Sequence, residues 1–159
     1  MVSGADLVEA TDSHFTWMLG ESPSPDRLGL PPGGIDEAWV LRWLRRNLAS
    51  FGQPGNWLVV AEGEAVGLCS YKTAPSADGA VEIGYGVAAT RRRLGHATRA
   101  VELAIRAARS DPRIRRLVAE TALANLPSQR VLEVNGFAKT GTSVDADEGE
   151  MIVWTLEVA

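Results

Sequence analysis

Residues 81–101, VEIGYGVAATRRRLGHATRAV, narrow what this chain can become more than any other stretch. Val81, Ile83, Tyr85 and Val87 alternate with Glu82, Gly84, Gly86 and Ala88. That period of two predicts a strand with one apolar face and one face of small or polar residues. The loop ATRRRLG follows, and the period then changes. Leu94, Ala97, Val101, Ala104, Ile105 and Ala108 make one apolar stripe, while Arg99, Glu102, Arg106 and Arg109 lie mostly outside it, which predicts a helix over 94–109. The first turn of such a helix carries unpaired N–H groups and the positive end of the macrodipole. Gly95 and Ala97 are small enough to let a ligand reach that backbone, so the segment suits a phosphate, with Arg91, Arg92 and Arg93 beside it. On composition alone the triple arginine is equally a solvated basic loop. GYGVAA formally matches a G-x-G-x-x-A dinucleotide fingerprint, but both glycines lie inside the strand and Glu102 falls mid-helix, so that reading fails.

The rest of the chain supplies a frame for this unit. A short strand is expected over 5–11 and a helical piece over 12–20. Residues 21–34, ESPSPDRLGLPPGG, break all periodicity and form a long loop, a candidate wall for a substrate site. A helix follows over 36–51, with Asp36 as cap and Leu41, Leu44, Leu48 and Phe51 on one face; Trp39 and Trp43 extend that face into the core, and Gly52 and Pro54 stop the helix. Trp57–Ala61 and Ala65–Thr73 read as a hairpin around the EGE turn. Leu117–Ala122 is a strand, Leu126–Val134 a short helix closed by Asn135–Gly136, and Phe137–Val144 with Met151–Val158 a final hairpin. This order predicts a single α/β (α+β) domain over 1–159. Its sheet is mixed, mostly antiparallel, of about six to seven strands flanked by helices.

Composition removes several classes of function. The 159 residues carry a formal net charge of -4 with a sequence pI near 5.2, the wrong sign for a chain held on nucleic acid by its overall charge. No apolar run approaches the ~18 residues of a membrane span, and the first residues lack the pattern of a signal peptide, so a cytoplasmic chain with no membrane partner is expected. Cys69 is the only cysteine, mid-strand without basic neighbours, and reads as structural. His14 and His96 have no metal-ligand spacing, so no metal is expected. No G-x-S-x-G elbow surrounds a serine, which sets aside a hydrolase triad built from Ser128 and either histidine.

Two blocks carry a resemblance. Arg92-Arg93-Leu94-Gly95-His96-Ala97 fits the (Arg/Gln)-x-x-Gly-x-(Gly/Ala) signature of the GNAT family of N-acetyltransferases, in the context of the preceding EIGYGV strand and the following helix. ANLPSQRVLEVNGFAKTG, residues 124–141, places Asn125, Ser128, Gly136 and Phe137 at that family's spacing. Together they span roughly residues 81–141, and the chain looks most like the bacterial ribosomal-protein N-terminal acetyltransferase branch.

The resemblance implies a GNAT-like fold and acetyl-CoA as cosubstrate. The strand end around Val87 and Ala89 would take the pantetheine arm as an added strand. The amides of Arg93, Leu94, Gly95, His96, Ala97 and Thr98, with Arg92 beside them, would bind the pyrophosphate. Asn125 would bond the pantetheine arm and Ser128 would lie near the sulfur. The reaction implied is direct attack of a primary amine, from a small molecule or a peptide, on the thioester. Glu82 is the candidate base, weighed against a carboxylate on a solvated face or in an ion pair. The sequence departs from many relatives at Leu132, where they place a tyrosine as general acid; Ser128 could take that role, or none is needed. The departure keeps a second reading in play, an acyl-CoA-binding sensor or interaction module without turnover. His96 is expected to serve in helix-start packing. The acidic turn with Asp145, Asp147, Glu148 and Glu150 reads as a charged surface turn, and the chain as a monomer or homodimer.

Overall fold

Seven strands form one sheet in the order β1-β2-β3-β4-β5-β7-β6. The structure is a computed structural model that describes residues 3–51 and 55–159, with the backbone alone at 49–51. The elements in chain order are β1 (Asp6–Glu9), α1 (Asp12–Met18), α2 (Ala38–Phe51), β2 (Asn56–Ala61), β3 (Glu64–Tyr71) and β4 (Ala80–Val87). Next come α3 (His96–Arg109), β5 (Arg116–Ala122), α4 (Leu126–Val134), β6 (Ala138–Asp145) and β7 (Gly149–Glu157). Every neighbouring pair is antiparallel except β4 and β5. This is the mixed sheet with flanking helices that the patterns predict. No described helix is long and apolar enough to cross a membrane. Among the described residues no group of three or more His, Cys, Asp or Glu could hold a metal ion.

The alternation of side chains sorts the core into two layers. On one face Val81 and Ile83 of β4, Leu117 and Ala119 of β5 and Trp154 of β7 pack with Ala100, Val101, Ala104, Ile105 and Ala108 of α3 and Leu132 of α4. The alanines let α3 lie close to the sheet, and Val101 and Ile105 each contribute roughly 1.5–3 kcal/mol by burial. On the other face Leu58, Ala65 and Leu68 meet Phe15 of α1 and Leu41 and Leu44 of α2. Beyond β4 the described helices leave this second face open, so Val118, Glu120 and Thr155 face outward there.

α2 departs from expectation at its start and at its two tryptophans. The helix begins at Ala38, and Asp36 instead accepts a hydrogen bond from the Glu37 amide at 2.7 Å. Trp39 and Trp43 are not core residues: they are 66% and 40% exposed. Leu41 and Leu44, with Val40 and Leu48 beside them, pack over β2 and β3, and the two indoles lie on the exposed side of the helix. The expected stop at Gly52 and Pro54 lies outside the described residues.

The long loop is fastened at both ends. Thr11 and His14 form a reciprocal cap on α1: the Thr11 amide donates to His14 Nδ1 at 2.9 Å. Nδ1 is therefore an acceptor, and the Nε2–H of the buried imidazole donates to Asp26. Farther along, Gly29 lies beside Glu64, its amide donating to the Gly63 carbonyl at 2.9 Å and its carbonyl accepting from the Ala65 amide at 3.0 Å, and Thr90 Oγ1 donates to the Pro32 carbonyl. The segment lies against the start of β3 and the loop after β4.

Gly67 sets the spacing of β3 and β4. It faces Val87 in the register, and a Cβ at Gly67 would fall 2.4 Å from the Gly86 carbonyl oxygen. Gly67→Ala is therefore expected to lower stability by about 1–3 kcal/mol, read as a drop in the denaturant midpoint at unchanged m. A second outcome concerns pH. Burial pushes the Cys69 thiol up from 9.0 to about 12. The unfolded chain then loses a proton that the folded chain keeps, so stability falls as pH rises above 9.0. Cys69→Ala should flatten the first part of that fall in a series of melts from pH 8 to 11.

Candidate active site

β4 and β5 pair over three positions only: Ala80 with Arg116, Val81 with Leu117 and Glu82 with Val118. Beyond them β4 stays on β3 as far as Val87 opposite Gly67, and β5 stays on β7 as far as Ala122 opposite Met151. Each strand keeps one full partner, and the right-handed twist of the two halves carries the free edges apart. The sheet is split from Ile83 onward. The Lys72 amide donates to the Glu82 carbonyl at 2.7 Å and the Ala88 amide to the Val66 carbonyl at 2.8 Å, so the even-numbered residues of β4 bond to β3. By alternation the backbone groups of Ile83, Tyr85 and Val87 turn into the split. Arg92 Nε donates to the Val87 carbonyl at 3.3 Å. Ala89 lies beyond the strand and opens a single 3-10 turn, Ala89–Arg91.

The loop before α3 is shaped to expose its amides. Arg93 sits at φ 65° and Gly95, the N-cap of α3, at φ 79°. Left-handed residues placed this closely curl successive N–H groups toward one side, a concavity suited to anions. Among the described residues, no N–H from Arg92 to Thr98 finds a backbone acceptor; the first helical bond is Arg99 N–H to Gly95 O at 3.0 Å. Seven consecutive donors are thus left for a ligand at the positive end of a 14-residue helix. The side chains divide. Arg91 turns away and grips Glu64 through two hydrogen bonds of 2.8 and 3.2 Å, holding that carboxyl below its usual range. Arg92 and Arg93 are exposed and have no carboxylate partner among the described residues. Leu94 and Ala97 are half-buried, and His96 Nδ1 meets Ser3 Oγ at 2.6 Å, a packing contact at the helix start.

α4 approaches the split from the same side. Asn125 caps it, its Oδ1 accepting from the Ser128 amide at 3.2 Å, which leaves the Asn125 Nδ2 as the group able to reach a ligand. Gln129 Nε2 donates to the Ala122 and Leu123 carbonyls and fixes the turn between β5 and α4. Leu132, which stands where the resemblance implies a tyrosine, is fully buried. Ser128 Oγ instead lies 2.7 Å from the hydroxyl of Tyr85 on β4. Burial pushes that phenol up to about 12, partly offset by the Ser128 hydrogen bond, so it stays protonated at neutral pH.

Glu82 lies on the opposite face, at the closed end of the split. Its carboxylate is 3.5 Å from Lys72 Nζ, and the Lys72 stem covers Gly84. Glu120, two residues past the last β4–β5 pair, projects to the same face and is exposed. The structure therefore gathers Val87, the Arg92–Thr98 amides, Asn125 and Ser128 on one side of the split. Glu82 and Ser128 are not in contact; they face the split from opposite sides of β4. Neither histidine meets Ser128, since His14 bonds Thr11 and Asp26 and His96 bonds Ser3. Sequence reasoning missed Tyr85, whose hydroxyl was hidden in an apolar alternation, and Glu120, which only the strand register places. A hollow of about 680 Å³ lies at the other end of the sheet between residues 74–79 and 112–115. Arg113 there is engaged by Asp111, and Arg116 nearby by Glu157.

This geometry has known counterparts. A family model described as an acetyltransferase (GNAT) domain matches residues 8–138. No curated protein matches the chain. Among solved structures, a RimL ribosomal L7/L12 alpha-N-protein acetyltransferase in complex with coenzyme A superposes with TM-score 0.75 at 18% identity, covering 99% of this chain and 96% of that one. An acetyltransferase from Salmonella typhimurium that modifies the N-terminal serine of ribosomal protein L7/L12 gives 0.74 at 16%, covering 98% and 95%. A spermidine N-acetyltransferase SpeG chimera from Vibrio cholerae and hSSAT gives 0.72 at 12%, covering 98% and 96%. The split sheet, the amide cradle at the start of α3 and the family match over 8–138 agree, and the chain belongs to the GNAT family of acetyltransferases.

Proposed function

We propose that the protein is an N-acetyltransferase that moves the acetyl group of acetyl-CoA to a primary amine by direct attack. The observation that carries this reading is the coincidence of an open strand edge with seven unpartnered amides at its end. A pantetheine arm carries amides that an unpaired strand edge can bond, and a pyrophosphate needs many donors in a small concave space. The residues fit that molecule. Tyr85 and Val87 would pair with the arm, with Ala89 at the margin of the edge, and Asn125 Nδ2 would add a donor. Arg92, Arg93, Leu94, Gly95, His96, Ala97 and Thr98 would enclose the phosphates. When bound, acetyl-CoA supplies an acetyl group activated as a thioester.

The two faces of the split divide the remaining work. On the open face, Glu82 and Glu120 offer two carboxylates to a substrate that arrives as an ammonium ion. Glu82 takes the proton the amine must lose, and Lys72 keeps the carboxylate beside the opening. An N–H near Val87 polarises the carbonyl under attack. Ser128, on the other face, meets the departing sulfur. Amine and cosubstrate reach the reacting carbon from opposite sides of the sheet and do not compete for space. The fold relatives act on both protein N-termini and spermidine, and the uncovered face leaves room for either.

Two measurements test this. Acetyl-CoA at about 100 times its dissociation constant should add roughly 2.7 kcal/mol and raise the melting temperature by roughly 5–10 °C, with NADP as the inert control. The absence of any shift at millimolar acetyl-CoA would remove the cosubstrate. Release of free thiol should then appear with a panel of peptides with free N-termini and with spermidine; a melting shift without thiol release from any amine would indicate the binding module. Glu82→Gln should lower kcat by about 10²-fold or more while keeping the melting shift. Loss in Glu120→Gln alone would transfer the base to β5.

A further inference from the structure

We infer that Tyr85 is a positioning residue that aims the Ser128 hydroxyl at the sulfur of the departing coenzyme A thiolate. The inference rests on the reading of the split as an acetyl-CoA site. Tyr85 stands on β4 and Ser128 in the first turn of α4, 43 positions apart in sequence, and their hydroxyls meet at 2.7 Å across the split. The Ser128 carbonyl is a longer contact, 3.3 Å from the same phenol. Two hydroxyls at this distance can be ordered in two ways. Serine can donate to the phenol, which then donates to the Ser128 carbonyl. Alternatively the phenol donates to Ser128 Oγ, and the serine proton is left pointing outward.

A thiolate is only an acceptor, so its formation selects the second order. The amine nitrogen bonds to the carbonyl carbon, the carbon–sulfur bond breaks, and the electron pair leaves on sulfur. An ammonium substrate loses two protons on the way to the amide: the first passes through Glu82 to solvent before attack, and the second goes to Glu82 as the carbon–nitrogen bond forms. Both hydroxyl protons stay on their oxygens, and the sulfur gains a hydrogen bond from a serine whose own oxygen is already bonded by Tyr85. Donors in such a chain strengthen one another. A serine hydroxyl is far too weak an acid to surrender its proton to a thiolate, so a hydrogen bond is the role the chemistry permits. The donor to the sulfur is Ser128 on α4, oriented from β4 by Tyr85; Leu132, buried on the same helix, cannot serve. The titratable group facing the Tyr85 ring is Cys69, its partner in the β3–β4 register, which burial keeps neutral.

Bound coenzyme A reads this out without any acceptor amine. Thiolate absorbance of the coenzyme A complex, followed against pH, gives the apparent pKa of the bound thiol. In the unsubstituted protein it should lie below that of free coenzyme A. Tyr85→Phe should raise it by about half to one pH unit, the equivalent of one hydrogen bond. Ser128→Ala should raise it at least as far, and the double variant no further than Ser128→Ala alone, because Tyr85 acts through Ser128. The melting shift caused by coenzyme A reports binding in each variant. An unchanged thiol pKa in Tyr85→Phe, with coenzyme A still bound, would overturn the inference and leave the acetyltransferase reading intact. An additive double variant would show that Tyr85 acts independently, which also overturns it. No melting shift in the unsubstituted protein would instead defeat the reading on which the inference stands.

Discussion

Three residue pairs between β4 and β5 hold two half-sheets together, and the rest of the molecule depends on their number being so small. With more pairs the sheet would close and the free edge would vanish. With fewer, α3 would lose the continuous floor formed by Val81, Ile83, Leu117 and Ala119. The split leaves strand-edge polar groups unpaired at Tyr85 and Val87, a costly arrangement for buried backbone unless water or a ligand completes it. Part of that deficit is covered from within, since Arg92 donates to Val87 O. The same guanidinium is well placed to release that carbonyl and turn to a phosphate.

The loop before α3 shows how local strain and charge serve the opening. Arg93 in a left-handed conformation costs of order 1–2 kcal/mol, which a glycine there would avoid. The side chain is retained where its charge lies beside seven unpartnered amides. Arg91 serves differently. By pairing with Glu64 it fastens this loop to the β2–β3 hairpin, to which Gly29 is also bonded. The long loop, the hairpin and the anion cradle are therefore one mechanical unit. His14 and Asp26 secure its far end.

Much of this was legible in the sequence, because periodicity reports which face of an element is buried. The seven strands, the α3 stripe and the Gly95 helix start all follow from residue spacing. α2 shows where the method stops. Trp39 and Trp43 fit the helical period that marks a core face, but the period cannot say how wide that face is, and Val40, Leu41, Leu44 and Leu48 take the places over the sheet. Tyr85 exposes a second limit. Alternation assigns a residue to a face by its ring and is silent about its hydroxyl, which finds its partner 43 positions away in α4. The motif marks Asn125 as a ligand-binding residue, while its oxygen caps the helix that carries Ser128.

The buried Leu132 bears on the chemistry as well as on packing. A tyrosine there would give up a side chain that fills the core between α3 and α4, and its hydroxyl would need a partner or an exit to solvent. Here the polar atom is supplied from the opposite wall of the split, by a strand that α3 holds rigid along Val81 and Ile83. Strand-borne groups are placed more precisely than loop-borne ones. A hydroxyl anchored on β4 also stays in register with the Val87 amide two residues on, the group proposed to polarise the carbonyl. In the proposed reaction β4 thus carries both the amide for the developing oxygen charge and the phenol that orients the sulfur's donor, and α4 delivers that donor, Ser128.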